Sequence, residues 1–399
     1  MIDAAFSGES AATGSGRPAG GTIATYRMVV SAASGDALSS YRALCDGAVH
    51  APAQSVHWVQ NWVEQLQPDG LIASVWEHGR PVFALALEVT NAGPFRVARF
   101  MGGSHANGNF PVASPAWLAS AEKAAVLALV EAIAAARPDI DALVLERATP
   151  HLAGQANPLL FLPHSRSPNI ALSVDLQGGF DAILEQTSAK RKRKKHRSQM
   201  RKFEAAGGFR RIIAQTPEET RRLLDAFLEM KEKRFEAMGV ANVFADAGIR
   251  KFFHALFCNA LAADMPIFTL EGLEVGGELR AVTGTSRCGR RLICEFGGIH
   301  DDELATSSPG EFLFYENIKQ ACETGYDIYD FGVGDEPYKR LWCNSETHHI
   351  DVIMPLSGKG RIYTTGLKTA ARLKAAVKNN PTAWRLAKSL RKRLVGKAG

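Results

Sequence analysis

What this chain lacks narrows the reading first. It has only six cysteines in 399 residues, at 45, 258, 288, 294, 322 and 343, with no CxxC and no paired spacing. That pattern argues against both a disulfide framework and a zinc site. Cys294 and Cys322 lie in apolar runs and read as small core residues. Long hydrophobic runs are also missing. The longest, "AAVLALVEAIAAA" at 124–136, is interrupted by Glu131 and is too short to span a bilayer. The opening "MIDAAFSGESAATGSGRPAGG" has neither the basic nor the apolar region of a secretory signal, so residues 1–24 read as a disordered tail. A cytoplasmic protein is expected.

Acids are absent from two segments. Residues 190–202 hold nine Lys/Arg, residues 352–399 hold twelve, and neither segment has an Asp or Glu. The rest of the chain carries 26 bases against 41 acids, so the formal net charge of +6 hides an acidic body with two basic attachments. Such attachments suit anionic partners: a phosphorylated cofactor, a nucleic acid or a membrane surface. With 46% hydrophobic residues the chain has ample material for more than one core.

Hydrophobic periodicity gives two successive passes of similar order. The first, 25–165, starts with the strand "TYRMVVSA" and an amphipathic "QSVHWVQNWVEQL". A hairpin, "LIASVWEHGRPVFALALEV", a strand "FRVARF", a long helix ended by Pro138 and a strand "DALVLERA" follow. The second, 166–356, starts with "IALSVDL" and one basic helix, "GFDAILEQTSAKRKRKKHRSQMRKFEAAGG". It continues through a helix opened by the capping box Thr216-x-x-Glu219, another helix, a three-strand meander and a β–α–β unit. Residues 357–399 read as a basic tail of two helices split by Pro381, with Trp384, Ala387, Leu390 and Leu394 as an apolar stripe that docks on the body or lies on an anionic membrane. The class is α/β, with mixed sheets flanked by helices and a duplicated order of elements.

The chemistry concentrates in "SSPGEFLFYENIKQACETGYDIYDFGVGDEPYKRLW", 307–342. Ser308 reads as an N-cap, Pro309 as the first helical residue, Gly310 as a bare first turn and Glu311 as the capping partner. A bare helix N-terminus can hold a phosphate or pyrophosphate. The following strand ends at Asp330, and Gly332 and Gly334 permit close approach of a ligand beyond it. Asp335 and Glu336 can act as bases, Tyr338 as an acid and Lys339 as the cation over a developing oxyanion. Glu295, in the strand "RRLICEFGGIH", is a second candidate base, and His300 a third.

This stretch resembles the signature of the GNAT-like acyltransferases of the CelD/BcsL type, associated with cellulose and exopolysaccharide synthesis. The matched positions are Ser308, Pro309, Gly310, Gly325, Asp330, Phe331, Gly332, Gly334, Asp335, Tyr338, Lys339 and Trp342. The basic helix at the start of the second half is similar too, and the resemblance covers about 160–355. In the first half only the order of elements matches, and the loop "MGGSHANGNFPV" carries no acidic residue where the resemblance leads one to expect an acceptor contact.

The resemblance implies two tandem GNAT-like modules, acyl-CoA (acetyl-CoA) as co-substrate with no metal, and kinship with Fem-type transferases that use aminoacyl-tRNA. It also implies that Lys339, in the Tyr338-Lys339 pair, lies near the transferred carbonyl. On this reading Lys339, Asp335, Tyr338 and Glu295 are catalytic. Ser308, Pro309, Gly310, Glu311, Asp330, Gly332 and Gly334 bind the co-substrate. The acceptor is an amine or hydroxyl of a small or glycan-linked molecule. Two alternatives stand beside it: a Fem-like aminoacyl-tRNA-dependent transferase, and a catalytically degenerate GNAT module serving as a polysaccharide-assembly scaffold. For the run at 190–202 the order is a solvated helix face, then a clamp for the CoA 3′-phosphate or an anionic acceptor, then nucleic acid.

Overall fold

The computed structural model describes residues 12–14 and 26–379. The expected tail at 1–24 and the stripe Trp384–Leu394 lie almost wholly or wholly outside the described residues.

A single 14-stranded sheet runs through the described chain. In the first half it is built from β1 (Tyr26–Ala32), β2 (Asp69–Glu77), β3 (Arg80–Ala92), β4 (Phe95–Phe100) and β5 (Ala142–Ala148), with two short strands, Ala12–Gly14 beside β1 and Val112–Ala113 beside β3. Strand β6 (His164–Asp175) leads into the second half. There follow β7 (Phe209–Ile213), β8 (Phe268–Val275), β9 (Glu278–Cys288), β10 (Arg291–Ile299), β11 (Ile328–Val333) and β12 (Ser345–Pro355). The spatial order is β1-β2-β3-β4-β5-β12-β6-β11-β10-β9-β8-β7.

Each half is an antiparallel run closed by one parallel pair, β4 with β5 and β10 with β11. The centre is an exchange. Strand β6 follows β5 in sequence but pairs with β11, and β12 follows β11 but pairs with β5, while β6 and β12 pair with each other. A division at 165/166 therefore runs through β6, and the two halves share one sheet.

The helices follow from local sequence. They are α1 (Gly35–Cys45), α2 (Val56–Leu66), α3 (Lys123–Ala136), α4 (Gly179–Glu185), α5 (Ala189–Ala205), α6 (Pro217–Met238), α7 (Ala247–Ala260), α8 (Pro309–Glu323) and α9 (Gly358–Asn379). Thr216 caps α6 by accepting from the Glu219 N–H, while the Glu219 carboxylate accepts from the Gln215 N–H. Gly239, at φ 62°, closes the same helix. The hairpin β2–β3 turns on His78 and Gly79, both at positive φ, which matches the twist of the flanking strands.

The single basic helix expected from 179 to 208 is two. The chain breaks between Glu185 and Ala189, so that α4 and α5 each lay an apolar face on the sheet. The apolar run at 124–136 is α3, with Val126, Leu129, Val130 and Ile133 buried and Glu131 exposed. No helix among the described residues is long and apolar enough to cross a membrane. The first turns of α9 dock on the first half, with Tyr363 and Leu367 packed among Phe95, Val97 and Val144.

The largest core crosses the midline. Tyr41, Trp58 and Trp62 of the first half pack with Phe227, Phe252, Phe253 and Phe268 of the second. The Trp58 ring meets the Phe252 ring edge-on at 5.0 Å, and Asn259 donates to Asn61 at 2.8 Å. Truncating a buried aromatic leaves a cavity worth about 3–5 kcal/mol. Trp58→Ala should therefore lower the unfolding free energy by roughly that amount. Urea denaturation followed by circular dichroism should show both halves lost in one transition.

Candidate active site

The parallel pair at the centre of the second half is short. Strand β10 pairs with β11 only from Arg291↔Ile328 to Ile293↔Asp330, although the two strands run on to Ile299 and Val333. Beyond that point they separate, and the functional groups gather around the fork.

Glu295 sits where the strands part. Opposite it β9 carries Gly284 and Thr285, which pair with Phe296 and Cys294, so Glu295 is the extra residue of a β-bulge. A bulge re-aims side chains. Strict alternation would put Cys294 and Phe296 on one face. Instead Cys294 packs with Phe331 and Trp342, while Phe296 joins the midline core.

The Glu295 carboxylate accepts from Ser286 Oγ at 2.5 Å and from Asn107 Nδ2 at 2.9 Å. Burial pushes its pKa up to about 7. The hydrogen bonds from Ser286 and Asn107 oppose that rise, and the Asp330 charge adds to it. A carboxylate titrating near neutrality in a fork between strands is a group able to take and return a proton.

Asn107 comes from the loop that lacks an acidic residue. It reaches from the first half into the fork, donating also to the Glu295 backbone carbonyl at 2.7 Å. A Cβ on Gly332 would meet the Asn107 side chain at 2.7 Å, and Gly332 has φ +68°. That glycine is thus required both by the backbone and by the inserted asparagine. Nothing in the sequence pointed to Asn107; only the approach of the two halves gives it a partner.

Asp330 belongs to the same face as Glu295. Its carboxylate accepts from the Gly332 N–H at 2.8 Å and pairs with Arg291 at 2.7 Å. With Glu295, Asn107, Arg291 and His349 it lines a cavity of about 30 Å³. His349 is 4% exposed, and its Nδ1 has no hydrogen-bond partner among the described residues. Burial lowers its pKa to about 4, so the ring is neutral at physiological pH.

The opposite side of the fork carries Tyr338 and Lys339. Tyr338 stacks on Phe314 of α8, rings 5.6 Å apart, so the first turns of α8 and the turn around Lys339 face one another. Lys339 is buried. Its ammonium donates to the Val333 carbonyl at 2.8 Å and the Gly332 carbonyl at 3.5 Å, and pairs with Glu336 at 2.9 Å. Glu336 is therefore a carboxylate partner of Lys339. Asp335 is exposed and pairs with Arg340 at 2.5 Å. Gly334, at φ +124°, lies against the Glu336 carboxylate. His300 hydrogen-bonds Asp302, which also holds Arg280.

At the start of α8 one expectation is corrected. Ser308 has φ 57° and ψ 60° and its side chain does not cap the helix. The left-handed residue is needed to turn the chain directly from the short helix Ala305–Ser307 into α8. The cap expectation assumed extended backbone, which a Ser–Pro sequence favours. Pro309 does occupy the first helical position, and Gly310 faces Ile299, which a Cβ would meet at 2.6 Å.

Helix α5 lies across this first turn. Lys195 pairs with Glu311 at 2.5 Å, and Gln199 donates to the Ser307 and Ser308 carbonyls at 2.8 and 3.1 Å. The basic run is thus not a free solvated rod. Lys192, His196, Gln199 and Phe203 form one docked face at helical spacing. Lys192 lies 3.3 Å from the Trp342 ring centroid and donates to the Leu341 carbonyl, while His196 stacks between Phe312 and Tyr315. Lys190, Arg191, Lys194, Lys195 and Arg197 remain exposed, with Lys195 at the start of α8 through Glu311. All six cysteines are free, and no His/Cys/Asp/Glu group among the described residues could hold a metal ion.

Comparison with known proteins agrees with this geometry. Residues 190–340 match the model of the acetyltransferase (GNAT) domain. Residues 190–340, in the second half, are thus similar to a GNAT domain, and that match supports an acyltransferase. Among curated proteins none matches in sequence. Among solved structures, FemX aligns at 12% identity and a TM-score of 0.56, over 79% of this chain and 96% of its own. A conserved protein of unknown function from Bacteroides thetaiotaomicron aligns at 13% identity and a TM-score of 0.50, covering 80% and 97%. The C-terminal domain of a putative lysylphosphatidylglycerol synthetase from Agrobacterium fabrum aligns at 12% identity and 0.50, covering 85% and 96%. At such identities the likeness is one of fold.

The raised Glu295 pKa has a consequence for stability. The folded state holds this proton more tightly than the unfolded chain, whose carboxyl titrates near 4.5. The resulting stabilisation is complete below that value and is lost as pH rises through about 7. Glu295→Gln removes this loss. Its stability relative to the parent should rise by up to about 3 kcal/mol between pH 4 and pH 9, measured by urea denaturation across pH.

Proposed function

We propose that the protein moves an acyl group, most simply acetyl, from acyl-CoA to an amine or hydroxyl of a saccharide-linked acceptor. The observation that carries this reading is the position of Glu295: on a bulge, at the fork of the parallel pair, with a pKa near 7. In this reading the CoA phosphates lie against the first turn of α8, at Ser308, Pro309, Gly310 and Glu311, under the exposed bases of α5. The thioester arm enters the fork past Gly332 and Gly334.

Glu295 takes the proton of the acceptor N–H or O–H. The new N–C or O–C bond forms, the C–S bond breaks, and the departing CoA thiolate keeps the electron pair and recovers the proton. Lys339 supplies positive charge on the far side of the fork, fixing the Val333 carbonyl and facing the developing oxyanion as its loose contact with Gly332 is exchanged. Tyr338 is the proton donor nearest to it in sequence. Asp335, paired with Arg340 at the surface, serves this reading only as a holder of the loop. Asp330 positions Gly332 and Arg291 rather than touching CoA.

A second reading keeps the fold and changes the donor. The likeness to FemX over nearly all of that chain, together with the exposed bases of α5, favours an aminoacyl-tRNA donor. The two readings part on simple measurements. Acetyl-CoA at a hundredfold excess over its dissociation constant should stabilise the protein by about 2.7 kcal/mol, read as a raised melting temperature. RNA that co-purifies and is released by salt, with no response to any acyl-CoA, favours the second donor. In steady-state assays kcat/KM should rise with pH to a plateau above about 7, the value to which burial raises Glu295. Glu295→Gln should abolish that limb and lower the rate by about 10²–10⁴-fold.

A further inference from the structure

At the end of β10 and β11 remote from the first turn of α8 lies an open groove of about 690 Å³ between the halves. The first half contributes the segments around His50 and His151. The second contributes the β9–β10 turn, Arg287 to Arg291, and the start of β11 at Asp327. Its charged lining is three arginines, at 287, 290 and 291, against one acid, Asp327. Arg290 grips Asp327 through two hydrogen bonds, at 2.7 and 2.8 Å, while Arg291 is held by Asp330 below. Arg287, half-buried, donates to the Met265 carbonyl at 2.7 Å and has no carboxylate partner among the described residues. Burial lowers the pKa of His50, which favours its neutral ring.

The groove floor is also the roof of the polar cavity. Pro52, Leu152 and Arg291 line both, and the cavity below holds Glu295, Asp330 and His349. It is large enough for one water-sized group. The buried His349 Nδ1 without a partner marks it as a place prepared for a hydrogen-bonding atom. Glu295 lies four residues from Arg291 and four from Ile299 along β10, roughly 13 Å from either end at the usual strand rise. The groove and the first turn of α8 therefore approach the same carboxylate from opposite ends of one strand.

Resting on the acyl-transfer reading above, we infer that this groove is the acceptor port, and that it selects an acceptor bearing a carboxylate or phosphate. Arg287, which has no carboxylate partner among the described residues, leads in binding that anion, with the remaining N–H groups of Arg290 beside it, and the nucleophile passes Arg291 to reach Glu295. Two donors in planar fork geometry suit either anion. Because both halves build the port, neither half alone can read the acceptor. Separate entrances allow donor and acceptor to be bound at once, so transfer needs no intermediate covalently held by the enzyme.

The test uses the full chain and three matched sugars: glucosamine, glucosamine 6-phosphate and 2-amino-2-deoxyglucuronate. Isothermal titration should show at least one anionic sugar binding tenfold or more tightly than glucosamine, with an advantage that shrinks as salt rises. Which anion leads identifies the source of the charge. Arg287→Gln/Arg290→Gln should reduce the charged sugars to the level of glucosamine without changing acetyl-CoA binding. The exposed His151→Glu, which alters no internal contact, should do so partly. Equal affinities for the three sugars, or charged-sugar binding untouched by both variants, overturns the inference. Loss of acetyl-CoA binding in the parent protein overturns instead the donor reading, and leaves the anion result to stand by itself.

Discussion

Strands β6 and β12 each leave the half that precedes them and pair within or beside the other, and the contact of the first half with the site follows from that crossing. A sheet broken at the midline would leave two unpaired edges, which are open to association. The exchange closes both edges with backbone hydrogen bonds and fixes the halves at one angle. Only at that angle does the first-half loop at 102–110 enter the fork between β10 and β11, and only then does Asn107 reach Glu295. The aromatic core of Trp58, Trp62, Phe252 and Phe253 then holds the arrangement from one face of the sheet.

Electrostatics at the fork are divided between two sides. On one, a buried carboxylate is left partly protonated near neutrality, because desolvation outweighs two hydrogen bonds. On the other, a buried ammonium stays tied to carbonyls and to Glu336. No hydrogen bond or ion pair joins Lys339 to Glu295 among the described residues, so neither cancels the other's charge. A fork that kept the two in contact would hold a salt bridge, not a proton acceptor. The bulge at Glu295 is the device that separates them. It lets Cys294 face the apolar side and turns the carboxylate toward Asn107 and Ser286.

Much of this was legible in the chain. The Thr216–Glu219 box, the His78–Gly79 turn, Pro309 at the head of α8 and the glycines at 332 and 334 are local signals, and local backbone preference decided them. The docked face of α5 was hidden, since its charges dominate the composition. Lysine and histidine at 192 and 196 read as solvated, although Trp342, Phe312 and Tyr315, far away in sequence, bury them by stacking. Ser308 misled for a related reason: the cap preference is an average over helices entered from extended chain, and this one is entered from a tight turn.

By itself, then, the sequence determined the alternation of strands and helices, the placement of apolar faces and the crowding of ionisable groups after Asp330, because these rest on periodicity and on contacts between near neighbours. The tertiary structure alone decided that two passes form one sheet, that Asn107 and not an acid meets the fork, that Glu336 pairs with Lys339, and that arginines of the β9–β10 turn face histidine-bearing loops of the first half. Those outcomes depend on pairings between segments more than a hundred residues apart and on which side chains a short turn directs inward. No local pattern encodes either.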